Sequence, residues 1–182
     1  MSRNQYALYR EGATRSEYSA IESEDGVAIK SFLAKRFPLL DYAVWETYAL
    51  NEFLKHQLTR NHIFVEVEKP LEESVFTALR ERTDSPVLLK PSGNDLYLYS
   101  GDLTIVVSTL TSEAPISRHE VRIEKLLVDL LANKLIGQII SPGDIPKIFN
   151  VAVTRYKINH SALLRYARRR GLEREVKERI VA

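Results

Sequence analysis

Four side chains in this sequence have types and positions suited to metal-assisted phosphodiester cleavage. They are Asp41, at the head of the apolar run YAVW, and Glu66, Glu68 and Lys69, at the tail of HIFVEVEK. In that chemistry two carboxylates hold Mg²⁺, while a lysine beside the attacked phosphate stabilises developing charge and helps position the water. The spacing fits poorly. The arrangement calls for a carboxylate two residues before the lysine on the same strand face, and Val67 holds that place. Alternation along a strand puts Glu66 and Glu68 on one face and Val65 and Val67 on the other, so the simpler expectation is a half-exposed strand end.

Other constellations carry less. His56, His62, His119 and His160 are scattered, with no pair at the i, i+4 spacing that binds zinc on a helix, and they read as surface or capping residues. No metal site is assigned. The seven glycines stand alone, so no phosphate-cradling loop, and with it no ATP or dinucleotide cofactor, is implied. Ser74 and Ser161 fall in helical patterns without a nucleophile elbow. Tyr97 and Tyr99 alternate on an expected strand, as base-stacking residues do, but LYLYSGD supplies an acid where a phosphate-binding face needs Lys or Arg. Core or edge packing is the expectation for both. No catalytic residue emerges, and the chain reads as a non-enzyme.

The elements that must position these residues follow from composition and periodicity. With 182 residues and 45% hydrophobic side chains, the chain can build one compact domain, or one domain with a small appendage. It has no cysteine, which removes disulfides and thiolate metal sites and suits a reducing cytoplasm. The opening MSRNQYALYR lacks the apolar core of a signal peptide, and no run approaches the ~18 apolar residues of a membrane span. A cytoplasmic protein without membrane association is expected. The net charge is only +2, yet from Arg155 onward Lys and Arg far outnumber the acids Glu173, Glu175 and Glu178. Such asymmetry marks either a nucleic-acid face or an acidic partner.

Along the chain, residues 1–24 read as a short extended piece, RNQYALY, and a polar linker. A helix follows from about Asp25, carrying Val27, Ile29, Phe32, Leu33 and Phe37, and Pro38 ends it. DYAVWE reads as a buried strand, TYALNEFLKHQL as a helix, HIFVEVE as a strand, and the segment from Pro70 as a helix carrying Leu71, Val75, Phe76 and Leu79. PVLLK, LYLY and DLTIVVS read as further strands, with SGND as a turn and TSEAP as a loop. The rest is helical: VRIEKLLVDLLANK with a broad apolar stripe, DIPKIFNVAVTRY opened by Pro142 and Gly143, and two closing helices. The expected class is mixed α/β, a small central sheet of about four strands flanked by helices, with an all-helical C-terminal part. The expected division is 25–112 for the α/β part and 113–182 for the helical part.

Several of these segments resemble one family. VWETYALNEFLKHQLTRNHIFVEVEK, EESVFTALRE, RIEKLLVDLL and INHSALLRYARRRG, in that order, look like the C-terminal region of AbiEi-type antitoxins of bacterial type IV toxin–antitoxin systems. The likeness runs from about Phe37 to Ile180. Its motif residues are Trp45, Asn51, Glu124, Lys125, Asp129 and Tyr166, with Lys125 standing where relatives commonly have Arg. The resemblance implies a non-enzymatic antitoxin and transcriptional regulator in phage defence by abortive infection. It further implies a nucleotidyltransferase toxin as functional partner, opposed without the stable complex of type II pairs. It also implies promoter DNA binding through an N-terminal winged helix-turn-helix. RNQYALY resembles the last strand of that wing, so the chain is expected to begin where the DNA-binding domain would end, as a fragment or from an internal start. A divergent metal-dependent nuclease-like domain built on Asp41, Glu66, Glu68 and Lys69 is the alternative.

The closing run LLRYARRRGLEREVKERI concentrates positive charge. Arg165, Arg168, Arg169 and Lys177 are the candidate nucleic-acid or partner contacts. Local physics also accounts for most of the run. Asn159 or Ser161 can cap a helix whose buried side is Leu163, Leu164 and Ala167, Gly171 can end it, and basic residues suit its last turn. In the next helix Glu173 is spaced to pair with Lys177 and Glu175 with Arg179.

Overall fold

The computed structural model describes residues 15–181; the RNQYALY segment lies outside them. Helix α1 (Glu24–Arg36) starts where the Ser23 hydroxyl accepts the Gly26 N–H at 3.1 Å, with Glu24 and Asp25 in its first turn and Lys35 and Arg36 in its last. Acids at the start and bases at the end match the helix dipole. Strands β1 (Tyr42–Glu46) and β2 (Asn61–Val67) follow, paired antiparallel.

Between them the helix expected over TYALNEFLKHQL is reduced to a single 3-10 turn, Thr47–Leu50. Side chains divert the backbone here. Asn51 Oδ1 accepts the Leu58 N–H at 2.7 Å and Asn61 Oδ1 the Tyr48 N–H at 3.3 Å, bonds that compete with a helical ladder. The apolar residues of that stretch are still used, since Leu50 and Phe53 are buried and Leu54 and Leu58 pack against them.

Helix α2 (Glu72–Arg80) and strand β3 (Val87–Leu89) come next. The LYLY segment, expected as a strand, is instead helix α3 (Gly93–Tyr99). Ser92 and Asp95 form a reciprocal capping box, which makes SGND a helix start rather than a turn. As a result Tyr97 and Tyr99 are exposed rather than packed in a core or edge.

Strand β4 (Leu103–Thr109) is followed by two-residue strands β5 (Ile116–Ser117) and β6 (Glu120–Val121). Helices α4 (Ile123–Ala132), α5 (Ile136–Ile139), α6 (Ile145–Arg155), α7 (His160–Arg169) and α8 (Glu173–Val181) complete the chain.

The sheet has six strands, ordered β3-β4-β2-β1-β6-β5, because β5 and β6 extend the expected four. β3, β4 and β2 are mutually parallel, so their C-terminal ends lie together at Leu89, Thr109 and Val67. Both faces are covered. On one, Ile29 and Leu33 of α1 and Val75 and Leu79 of α2 meet Val44, Ile63, Val65 and Val107. On the other, Trp45, Phe64 and Val106 meet Leu126, Leu127, Phe149 and Leu163 from the C-terminal helices. Burial on both faces explains why the central strands read as nearly continuous apolar runs. It also means that a charged side chain inside such a strand must point into a core.

The C-terminal helices follow the local rules. Asn159 Oδ1 accepts the Ala162 N–H at 3.0 Å, and Gly171 has φ 72° beyond the end of α7. The first described residues are tied to this region. Ser16 donates to the Arg155 carbonyl at 3.0 Å and accepts from the Lys157 N–H at 2.9 Å. Tyr18 lies edge-on to Tyr156 at 5.1 Å and 6.2 Å from Phe53.

Candidate functional site

Glu66 is a charged residue that the sheet points into a core. It sits opposite Ala43 in the β1–β2 ladder, on the same face as Trp45 and Phe64 and therefore beneath the C-terminal helices. Glu66 Oε1 accepts from Trp45 Nε1 at 3.0 Å and from Lys125 Nζ at 2.7 Å. Lys125 comes from the first turns of α4 and is wholly buried, with 0% of its surface exposed. Its ammonium also donates to Asp129 Oδ2, one helical turn along. Asp129 Oδ1 accepts the Tyr166 hydroxyl at 3.0 Å, delivered by α7, and lies 3.8 Å from Arg170 Nη2.

Four elements thus contribute to one network: β1 the indole, β2 the first carboxylate, α4 the cation and second carboxylate, α7 the phenol. Burial by itself would lower the Lys125 pKa. The Glu66 carboxylate, followed by Asp129, outweighs that burial and holds it above the usual lysine value, so the ammonium stays charged. Burial raises the Tyr166 phenol, Lys125 opposes the rise, and Asp129 and Glu66 add to it, which keeps the hydroxyl a neutral donor. The Trp45 ring stacks on Phe64 at 4.5 Å, fixing the indole N–H that serves Glu66. Two carboxylates face Lys125 with Arg170 at the margin, so formal charge is balanced inside the core.

The motif residues divide into two groups. Trp45, Lys125, Asp129 and Tyr166 all meet in this network, although they lie up to 121 positions apart (166 − 45). Glu124 and Asn51 serve the backbone elsewhere. Glu124 Oε1 accepts the Asn159 N–H at 2.7 Å, docking the start of α7 on α4, and Asn51 shapes the β1–β2 connection. Nothing in the sequence pattern assigned Glu66 to this group. The available signal was an acid within an apolar strand facing a striped helix that itself carries a lysine.

The metal-dependent set drawn from the sequence is divided by the structure. Glu66 is engaged by Trp45 and Lys125 in the core, whereas Asp41 and Lys69 are exposed. Asp41 N–H donates to Glu68 Oε1 at 3.0 Å, closing the sheet margin rather than presenting paired carboxylates. Among the described residues no three His, Cys, Asp or Glu side chains gather as a metal-binding group. The histidine reading also needs correction. His62 is a buried strand residue whose pKa is held below its usual value by burial and then by Arg60, and His119 stacks on Tyr42 at 3.9 Å.

All four C-terminal candidate cations are exposed, and each has an acceptor within the chain. Arg168 forms a two-point contact with Glu173 at 2.8 and 3.0 Å, and Lys177 reaches the same carboxylate at 2.8 Å. Arg165 lies 3.6 Å from Glu113, and Arg169 donates to the Ser112 hydroxyl at 2.8 Å. Glu173 is held down to about 2 by its bonds to Arg168 and Lys177. The expected Glu175–Arg179 pair is formed at 3.2 Å.

No helix among the described residues is long and apolar enough to cross a membrane. No curated protein and no solved structure matches the chain. One family model does, over residues 1–182, and by that match the chain belongs to DUF6577, a family of unknown function.

Proposed function

We propose that the chain is a non-enzymatic regulatory domain of the antitoxin type, acting against a nucleotidyltransferase toxin of a type IV toxin–antitoxin system. On this reading it also assists promoter autoregulation, alongside a DNA-reading domain. The observation that supports this reading is the convergence of Trp45, Lys125, Asp129 and Tyr166, the residues that resemble the antitoxin motif, on a single charge-balanced network. A motif spread over three elements and used for holding them together suits a domain that presents surfaces. The exposed basic end of α7 and start of α8 is the surface nearest in kind to a phosphate or acidic partner contact.

The test is co-expression with a nucleotidyltransferase toxin of the type IV class. Growth rescue by the chain, reduced by Tyr166→Phe only as far as folded protein is lost, is the expected result. Failure of the chain to relieve toxicity, at verified folded levels, would remove the antitoxin reading.

A further inference from the structure

The three parallel strands end side by side, and above their ends on the helical face lies a cleft of about 290 Å³. In open α/β sheets ligands characteristically sit outside the C-terminal ends of the strands, and small-molecule pockets begin at roughly 300 Å³. The position is therefore that of a small-metabolite site, and the volume lies at the lower end of the size such sites have. Its polar lining comes from every surrounding element: Glu66 from the end of β2, Ser108 from the end of β4, Lys90 just past β3, Asn133 and Lys134 just past α4, and Arg170 just past α7.

Several of these groups have hydrogen-bonding capacity unused by the fold. Glu66 Oε1 is taken by Trp45 and Lys125, but among the described residues Oε2 has no donor. This oxygen is not fully occluded, and Glu66 lines the cleft. The Ser108 hydroxyl and Lys134 ammonium likewise have no hydrogen-bond partner or ion pair among the described residues. Asn133 uses only its Oδ1, toward Leu135 N–H at 3.0 Å, leaving its amide N–H groups available. Lys90 is anchored by Glu72 at 2.8 Å through one of three possible N–H bonds, and its backbone takes the left-handed conformation, φ 44°, which lysine rarely adopts. Phe64 and Leu135 supply apolar wall.

Charge decides the ligand class. Lys90, Lys134 and Arg170 line the cleft with Glu66 and Asp129, while Lys125 and Glu72 lie behind it, so the group as a whole carries an excess of one positive charge. A bare anion would leave Glu66 Oε2 without a donor. A bare cation would meet three basic side chains. We infer that the cleft binds a phosphomonoester the size of a nucleoside monophosphate, its phosphate on Lys134, Lys90 and Arg170 and an N–H or O–H group donating to Glu66 Oε2. The inference goes beyond the antitoxin reading and stands without it. It makes the domain responsive to a metabolite, through residues directly joined to the Glu66–Lys125–Asp129 network.

The experiment is calorimetric titration of the full chain with the four common nucleoside monophosphates, ribose 5-phosphate, glucose 6-phosphate and inorganic phosphate. At least one phosphomonoester should bind more tightly than about 1 mM and more tightly than inorganic phosphate. Which member binds separates a nucleotide from a sugar phosphate. Lys134→Ala should weaken that binding about tenfold and Ser108→Ala several-fold, with melting curves confirming that both variants fold, while Lys147→Ala, outside the cleft, should leave it unchanged. Absence of any binding tighter than 1 mM, inorganic phosphate binding as well as every phosphomonoester, or unaltered affinity in either cleft variant would overturn the assignment.

Discussion

Replacing Lys125 with Met removes a cation that two carboxylates share while keeping a side chain of similar length in the core. The structure sets the size of the effect. Lys125 is fully enclosed, and the Met that replaces it leaves Glu66 Oε1 and Asp129 Oδ2 without their shared donor. Breaking a buried ion pair by removing one partner costs about 3–5 kcal/mol, which for a domain of this length corresponds to a fall in melting temperature of roughly 6–20 °C. Urea denaturation at pH 7 measures the loss directly.

The pH dependence gives a second readout. Because the folded-state pKa of Lys125 is raised, its contribution is fully present below the ordinary lysine value of 10.5 and is lost as pH rises beyond it. The stability gap between wild type and variant should therefore hold between pH 6 and 9 and begin to close above about 10.5. The triple variant Glu66→Gln, Lys125→Met, Asp129→Asn keeps acceptors for Trp45 and Tyr166 without charge, and should recover at least half of the loss, since neutral replacements of whole buried ion networks are tolerated. A single-variant loss below about 1 kcal/mol, against the 3–5 expected for a broken buried pair, refutes the reasoning. So does a triple variant no better than the single one.

Tyr166→Phe deletes a hydrogen bond to the charged Asp129 and should cost about 1.5–3 kcal/mol in the same urea assay. Gly171→Ala meets no neighbouring atom, so its cost should be purely conformational, about 1–2 kcal/mol, with Gly171→Asn costing less. Glu173, lowered to about 2 from 4.5, contributes stability that is present above pH 4.5 and lost as pH falls from there toward 2. Glu173→Gln should flatten that part of the acid-unfolding profile, and a ¹³C-detected titration of the side chain checks the midpoint. On the regulatory reading proposed above, changing Arg165, Arg168, Arg169 and Lys177 together to Ala should reduce the salt dependence of the chain's DNA binding. An unchanged slope would show that these side chains serve only Glu113, Ser112 and Glu173.

What was legible in the sequence was mostly local. Strands β1, β2 and β4 announce themselves as apolar runs because the sheet is covered on both sides. The α7–α8 corner follows from Asn159 as a cap, Gly171 as a stop and i, i+4 charge pairs. Misreadings arose where side-chain bonds redirect the backbone. The Asn51 and Asn61 amides hold open a loop whose apolar spacing looks helical, and the Ser92–Asp95 box turns a period-two tyrosine pattern into a short helix. Strands of two residues, such as β5 and β6, are too short for periodicity to register. The network residues were visible as a family likeness, but their convergence was not. Lys125 and Tyr166 read as helix positions, and Glu66 as a strand end, until the sheet face decides that all must share one interior.

The strand-like contact at Ser16 has a consequence for the order in which the molecule opens. Ser16 and Arg155 are 139 residues apart in the chain, yet with the sheet folded and Ser23 held by Glu46 Oε1 the contact need order only residues 17–22, at roughly 1–2 kcal/mol of backbone entropy each. Against it stand two backbone bonds, the Tyr18 packing and an exposed Glu17–Lys157 pair at 3.4 Å. That balance makes this segment a low-energy local opening, detached while the sheet remains folded. Amide exchange at Ser16 and Lys157 should accordingly outpace that of β2 and β4, and each opening would briefly bare the Phe53–Tyr156 surface.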